Sequence, residues 1–100
     1  MKFALPQNYP NPFNPSTRIR YQLANRSRVS LEIFNQLGQR VRLLASQEQV
    51  TGDYTVVWDG TTDAGNPVAG GMYVCRLRAA GLAPTSSGGF TGVIKLLLIR

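Results

Sequence analysis

The stretch NYPNPFNPSTRIRYQL, residues 8–23, changes character halfway along. Up to Ser16 it is proline and asparagine, with Tyr9 and Phe13 set among them. From Thr17 it alternates. Ile19, Tyr21 and Leu23 fall on one side and Arg18, Arg20 and Gln22 on the other, the period of a strand with one buried face. Proline has no ladder donor, so Pro10, Pro12 and Pro15 cannot belong to a central strand. They suit an extended edge, where missing N–H groups also discourage unwanted strand addition. Tyr9 and Phe13 are expected to pin that stiff segment by burying their rings. Asn14-Pro15-Ser16-Thr17 reads as the turn into the first full strand. Pro12 to Pro15 also fits the PxxP pattern of a polyproline-II ligand. That reading leaves the two aromatics without a role.

The same alternation recurs downstream. RVSLEIF sets Val29, Leu31 and Ile33 against Arg28, Ser30 and Glu32. DYTVVWD groups Tyr54, Val56 and Trp58, and MYVCRLR groups Tyr73, Cys75 and Leu77 opposite Arg76 and Arg78. QRVRLLA is a weaker strand, because Leu43 and Leu44 break the pattern and mark a bulge. FTGVIKLLLIR is a long closing strand. Turn chemistry separates these runs: NQLGQ around Gly38, VTGD around Gly52, DGTTDAGNPVAGG from Asp59 to Gly71, and GLAPTSSGG before the last strand. No segment has helical periodicity and no repeat is present. Short strands at regular spacing argue a β-sandwich.

Composition sets the outer bounds. One hundred residues is one domain of a size that builds its own core. Hydrophobic residues at 43% and charged residues at 16% place it with globular rather than disordered chains. No apolar run approaches the roughly 20 residues of a membrane span. MKFALP opens like a signal peptide, but Pro6 and the polar run after it end the apolar stretch early. An export address is therefore expected elsewhere, or in a longer precursor. The lone Cys75 precludes an internal disulfide. Histidine is absent, which removes the commonest general base and zinc ligand. Only five acids are present, so an enzyme is hard to build. The net charge of +6 permits an anionic partner, although no basic run exists and a solvated surface is the ordinary use of such charge.

Four constellations remain. Asp59, Asp63 and Asn66 offer oxygens to a cation, but the spacing is not that of an EF-hand, and a polar turn rich in Asp, Asn and Gly is the simpler reading. The arginine pairs Arg18/Arg20, Arg40/Arg42 and Arg76/Arg78 each occupy the outer face of a strand. On one sheet they would form a candidate anion patch; mutual repulsion would instead divide them between two sheets. Tyr9, Phe34, Tyr54, Trp58 and Tyr73 could stack on sugars, but most have inward parity and suit a core. Phe34 has outward parity. The last strand stands apart: Val93, Lys95, Leu97 and Ile99 share one face, Ile94, Leu96, Leu98 and Arg100 the other, and both are mostly apolar. A strand buried on one side alternates more cleanly. Either something covers the second face or another protein reads it, with strand addition at the edge as the natural mode.

Taken together, LPQNYPNPFNPSTRIRYQL, VSLEIFNQLGQRVRLL, GDYTVVWDGTTDAGNPVAGGMYVCRL and KLLLIR resemble the type A C-terminal sorting domain of the type IX secretion system. That family is related to the immunoglobulin-like domain of the flagellar hook-capping protein. The likeness runs from Phe3 to Arg100 and rests on the combination of NPFNPST, the WDG turn, the G-x-Y strand and the basic-apolar tail. Members usually carry an aromatic where Cys75 stands, and the GLAPTSSGG hairpin is longer here. The resemblance implies an all-β, immunoglobulin-like or fibronectin type III-like sandwich of about seven antiparallel strands. It would be a single domain over residues 1–100, with 1–17 as the extended edge segment and 89–100 as the terminal signal strand. Tyr73, two residues before Cys75, mimics the tyrosine corner of such domains.

The implied role is a non-catalytic sorting module without cofactor or metal. It would direct a fused upstream cargo domain through the type IX translocon, from the periplasm to the outer-membrane surface or beyond. A sortase-like peptidase would remove it, and the cargo would be joined to anionic lipopolysaccharide; no nucleic acid is implied. Lys95, Leu96, Leu97, Leu98, Ile99 and Arg100 would be the segment that the apparatus recognises. The alternatives are a structural or adhesive scaffold module, as in hook capping, and a carbohydrate-binding accessory module.

Overall fold

The computed structural model describes residues 2–82 and 89–100, and every described element is a strand. Residues 83–88, the middle of the long GLAPTSSGG hairpin, lie outside the described residues. The strands are β1 (Thr17–Leu23), β2 (Ser27–Phe34), β3 (Arg40–Gln49), β4 (Gly52–Trp58), β5 (Gly71–Gly81) and β6 (Phe90–Leu98). They form two sheets, β1-β4 and β3-β2-β5-β6, with antiparallel pairing throughout. The core fills the space between them. Ile19, Tyr21 and Leu23 meet Val29, Leu31, Ile33, Cys75, Leu77, Leu96 and Leu98 there, as the alternation requires.

Local chemistry sets the joints. The β2–β3 hairpin closes because the Asn35 side-chain oxygen accepts from the Leu37 and Gln39 N–H groups, while Gly38 takes a φ of 80°. On β3 the register slips twice. Leu31 faces Ala45 and Glu32 faces Leu43, so Leu44 is the extra residue; Ile33 faces Arg42 and Phe34 faces Arg40, so Val41 is the second. These bulges turn the β3 edge toward the long β4–β5 loop, where the Asp63 N–H donates to the Val41 carbonyl (3.1 Å) and Asp63 Oδ1 accepts from the Leu43 N–H (2.9 Å). The Tyr73 hydroxyl donates to the Ala69 carbonyl at 2.5 Å, the bond of a tyrosine corner.

There are six strands rather than about seven. The N-terminal segment that would be the seventh pairs only at isolated bridges: Ala4 with Gln22, Tyr9 with Arg18, and Phe13 with Leu98. Prolines at positions 6, 10 and 12 interrupt any longer ladder. The segment is nonetheless a strap joining both sheets. It runs antiparallel to β1 and then passes along β6, where the Phe13 N–H donates to Leu97 O and the Phe13 carbonyl accepts from the Ile99 N–H, both at 2.9 Å. Phe3 stacks on Phe90 with ring centroids 5.6 Å apart. The buried Asn8 ties the strap down by donating to Thr17 Oγ1 (2.8 Å) and the Pro10 carbonyl (3.2 Å).

Tyr9 and Phe13 part company. Phe13 is buried against Trp58, which in turn meets the Tyr73 ring edge-on at 5.3 Å. Tyr9, expected to be buried, is 76% exposed. Its bridge explains the outcome. Tyr9 exchanges both backbone bonds with Arg18, an outward residue of β1, and directly paired residues share a face. Phe13 pairs instead with the inward Leu98. Because Phe13 is buried, the PxxP segment is fixed to the sandwich and is not free for a groove in another protein.

Phe13→Ala should therefore cost about 3–5 kcal/mol, whereas Tyr9→Ala should stay within about 0.5 kcal/mol. Urea midpoints of the two variants check this. Equal losses would mean that Tyr9 also packs in solution.

Candidate functional site

The terminal-strand residues divide by parity. Leu96 and Leu98 are core residues, below 3% exposed. Lys95 and Ile99 are exposed and Leu97 is half-buried, all on the outer face with Val93, which is 57% exposed. Arg100 is not a free terminal charge. Its Nε donates to the Val68 carbonyl (2.6 Å) and its Nη2 to the Gly60 carbonyl (2.9 Å). Gly60 has a φ of 75°, and a Cβ there would lie 2.9 Å from Arg100 Nη2, so the WDG turn is shaped around this guanidinium.

The β6 edge is largely taken. Gln7 Nε2 donates to the Lys95 carbonyl (2.8 Å), Asn11 Oδ1 accepts from the Leu97 N–H (3.0 Å), and Phe13 satisfies Leu97 and Ile99. Strand addition along Lys95–Ile99 would have to displace the strap. What β6 and the residue that follows it offer a partner is an outer face, Val93, Lys95, Leu97 and Ile99. Beside Val93 lies a cleft of about 440 Å³ lined by Phe34, Val74 and Arg76.

The six paired arginines are not brought together. Arg18 and Arg20 lie on the β1-β4 sheet, the other four on the larger sheet. Arg40 and Arg76 flank β2 and converge on Glu32, with contacts of 3.4 and 3.0 Å. Arg76 also lies over the outward Phe34 ring, 4.7 Å from its centroid. Burial alone would raise the Glu32 pKa, but hydrogen bonds from Arg76, Ser30 and Arg40 outweigh it and hold the carboxyl below its usual range. Arg42 is drawn to the β4–β5 loop. It bonds Thr61 Oγ1 (2.7 Å) and the Thr62 carbonyl (3.1 Å), and it lies 3.7 Å from Asp59 and 3.9 Å from Asp63. Both loop carboxylates thus already face a cation and local N–H or O–H donors: Thr61 bonds Asp59 and Leu43 bonds Asp63. This is the polar-turn arrangement. The Asn66 backbone joins the same turn through Thr62.

Of the five aromatics considered for stacking, Trp58 and Tyr73 are core, Tyr54 is half-buried against Tyr21, and Phe34 lies under Arg76. Only Tyr9 among them presents most of its ring to solvent. Cys75 is buried, and burial pushes its thiol up to about 12. Two features escaped sequence reading. Asn8 as a buried polar hub and Arg100 as a loop anchor both depend on contacts between remote segments that no local period encodes.

With this geometry in place, comparison with known proteins is direct. The chain belongs to the FlgD Ig-like domain family, whose model matches residues 13–81; this is the hook-capping relationship expected from the motifs. No curated protein matches the sequence. Among solved structures, dimeric latent PorU from Porphyromonas gingivalis superposes with a TM-score of 0.65 over 95% of this chain at 20% identity. PorZ, an essential surface component of the type IX secretion system of the same organism, superposes with a TM-score of 0.53 over 94% at 28% identity. The chain spans only 9% and 11% of those two proteins.

Two measurements test the buried groups. The folded pKa of Glu32 is depressed, so its contribution to stability is present above the unfolded value of about 4.3 and is lost as pH falls through the folded value. Glu32→Gln should flatten that acid limb of the stability–pH curve; an unchanged limb would show that the arginine pair is solvated. Cys75 should resist thiol reagents at pH 8 until the protein unfolds. Rapid labelling of the native state would contradict its burial.

Proposed function

We propose that this domain is a non-catalytic sorting module, carried by a larger exported protein and read by the type IX secretion apparatus. Its family and its likeness to part of PorZ support the reading. The observation that carries it is the outer row of β6. Val93, Lys95, Leu97 and Ile99 put apolar side chains and one cation, without an ion-pair partner among the described residues, on an exposed outer face. A fold stabilised for its own sake would place polar residues there. Recognition on this reading is by the face of the strand, since its edge carries the strap. The cargo would pass through the periplasm to the outer-membrane surface, where a sortase-like peptidase would release the module and anionic lipopolysaccharide would receive the cargo.

A second reading, a structural scaffold module, has the family match in its favour. The two separate experimentally in a signal-peptide–reporter–domain fusion expressed in a host with the type IX apparatus. The wild-type fusion should reach the surface. Val93→Ser with Lys95→Gln changes two exposed side chains, each at a surface cost within about 0.5 kcal/mol. That variant should melt like the wild type yet be exported less efficiently. Arg100 is kept, because it anchors the turn. Retention of the wild-type fusion in the periplasm would favour the scaffold, and full export of the folded variant would remove the β6 row as the signal.

A further inference from the structure

On the sheet opposite β6, Arg18 and Arg20 project from one face of β1, roughly 7 Å apart along the strand. Neither guanidinium has a hydrogen-bond or ion-pair partner among the described residues. Asp53, the acid of this face, stands across from Gln22 and forms no ion pair with either. Beside them stands Tyr9, held outward by its bridge to Arg18. Two clefts meet at Arg18. One, of about 230 Å³, is lined by Pro6, Gln7, Tyr9 and both arginines. The other, of about 150 Å³, lies between Pro10, Ser16 and Val57. The backbone beneath is fixed, because Asn8 and the Thr17 hydroxyl both bond the Pro10 carbonyl. The backbone that carries Tyr9 is therefore held in place.

We propose that this face binds an acidic polysaccharide, with Arg18 and Arg20 on its carboxylates and the Tyr9 ring against a sugar. The chemistry favours this occupant on three counts. Guanidinium groups that form no ion pair among the described residues match carboxylates in a bidentate geometry. Each cleft is smaller than the roughly 300–1,000 Å³ that encloses a drug-sized ligand, so each takes one unit of a chain running over the surface. Strand addition of an acidic peptide to β1 is blocked, because β1 is bordered by β4 on one side and by the strap on the other. A single-stranded nucleic acid would call for successive exposed aromatics, and this face presents one. The site is separate from the β6 row and needs no secretion machinery to be tested.

Calorimetric titration with oligogalacturonate, its methyl-esterified neutral form, hexaglutamate and oligothymidylate distinguishes the possibilities. Saturable binding to oligogalacturonate is expected, and esterification or Arg18→Gln with Arg20→Gln should weaken it about tenfold or more. Tyr9→Ala should weaken it several-fold while the fold stays intact by melting. Arg28→Gln with Arg78→Gln, which removes the same charge from the other sheet, should leave it nearly unchanged. Absence of saturable binding, equal loss in that control pair, or equal or tighter binding of hexaglutamate or oligothymidylate would each overturn the proposal.

Discussion

The fold depends on Phe13. Its backbone is clamped between Leu97 and Ile99 of β6, and its ring fills the space beside Trp58. Trp58 ends β4 in one sheet, and Tyr73, against which it packs, lies near the start of β5 in the other. One aromatic on an irregular segment therefore joins the strap, both sheets and the tyrosine corner. Two sheets packed face to face expose core at their sides unless something covers them. The strap covers one side by bonding β1 through Ala4 and Tyr9, and β6 through Gln7, Asn11 and Phe13. Proline suits this task because the strap must donate few ladder bonds while keeping an extended course between two edges.

That solution constrains recognition. A strand whose edge is already bonded cannot lend it to a partner without giving up those bonds, which ties partner access on the β6 side to the integrity of the strap. The opposite edge of the same sheet is also occupied in part, at Val41 and Leu43, by Asp63. Both borders of the four-stranded sheet thus carry caps, one proline-rich and one Asp/Gly-rich. What the sheet leaves open is its outer face: an apolar band from Phe34 through Val74 to Val93, bordered by Arg76 and Lys95.

Much of the fold was legible because strand parity is a local property. The inward sets of β1, β2 and β5 are those that alternation assigns, and the disturbance at Leu43-Leu44 is a bulge. The family was legible because its motifs occur together. Parity failed at Tyr9, since an interrupted strap has no continuous period, and its facing is dictated by whichever β1 residue it meets. It was also insufficient at Arg100, which has a residue number on β6's continuation but a role in the loop at Val68 and Gly60. The division of the arginine pairs needed the sheet order, which depends on how the connections cross. Asn8 gave no signal at all, because an asparagine in a proline-rich segment looks like turn chemistry.

The distribution of charge follows from the same topology. Four of the five acids are committed to arginines: Glu48 to Arg26, Glu32 to Arg40 and Arg76, and Asp59 and Asp63 to Arg42. Every one of these pairs draws its arginine from the four-stranded sheet or from the turn that enters it. These four acids lie on β2, β3 and the β4–β5 loop, so their neutralisation reaches only what those elements face, and the fifth, Asp53 on β4, forms no ion pair among the described residues. Arg18 and Arg20 are on the far side of the core and receive none of it. The net charge of +6 is therefore not spread evenly over the surface. On the smaller sheet it takes the form of two neighbouring guanidinium groups with no ion pair among the described residues, set against the single carboxylate of Asp53, and cations of this kind are where an anionic partner gains the most.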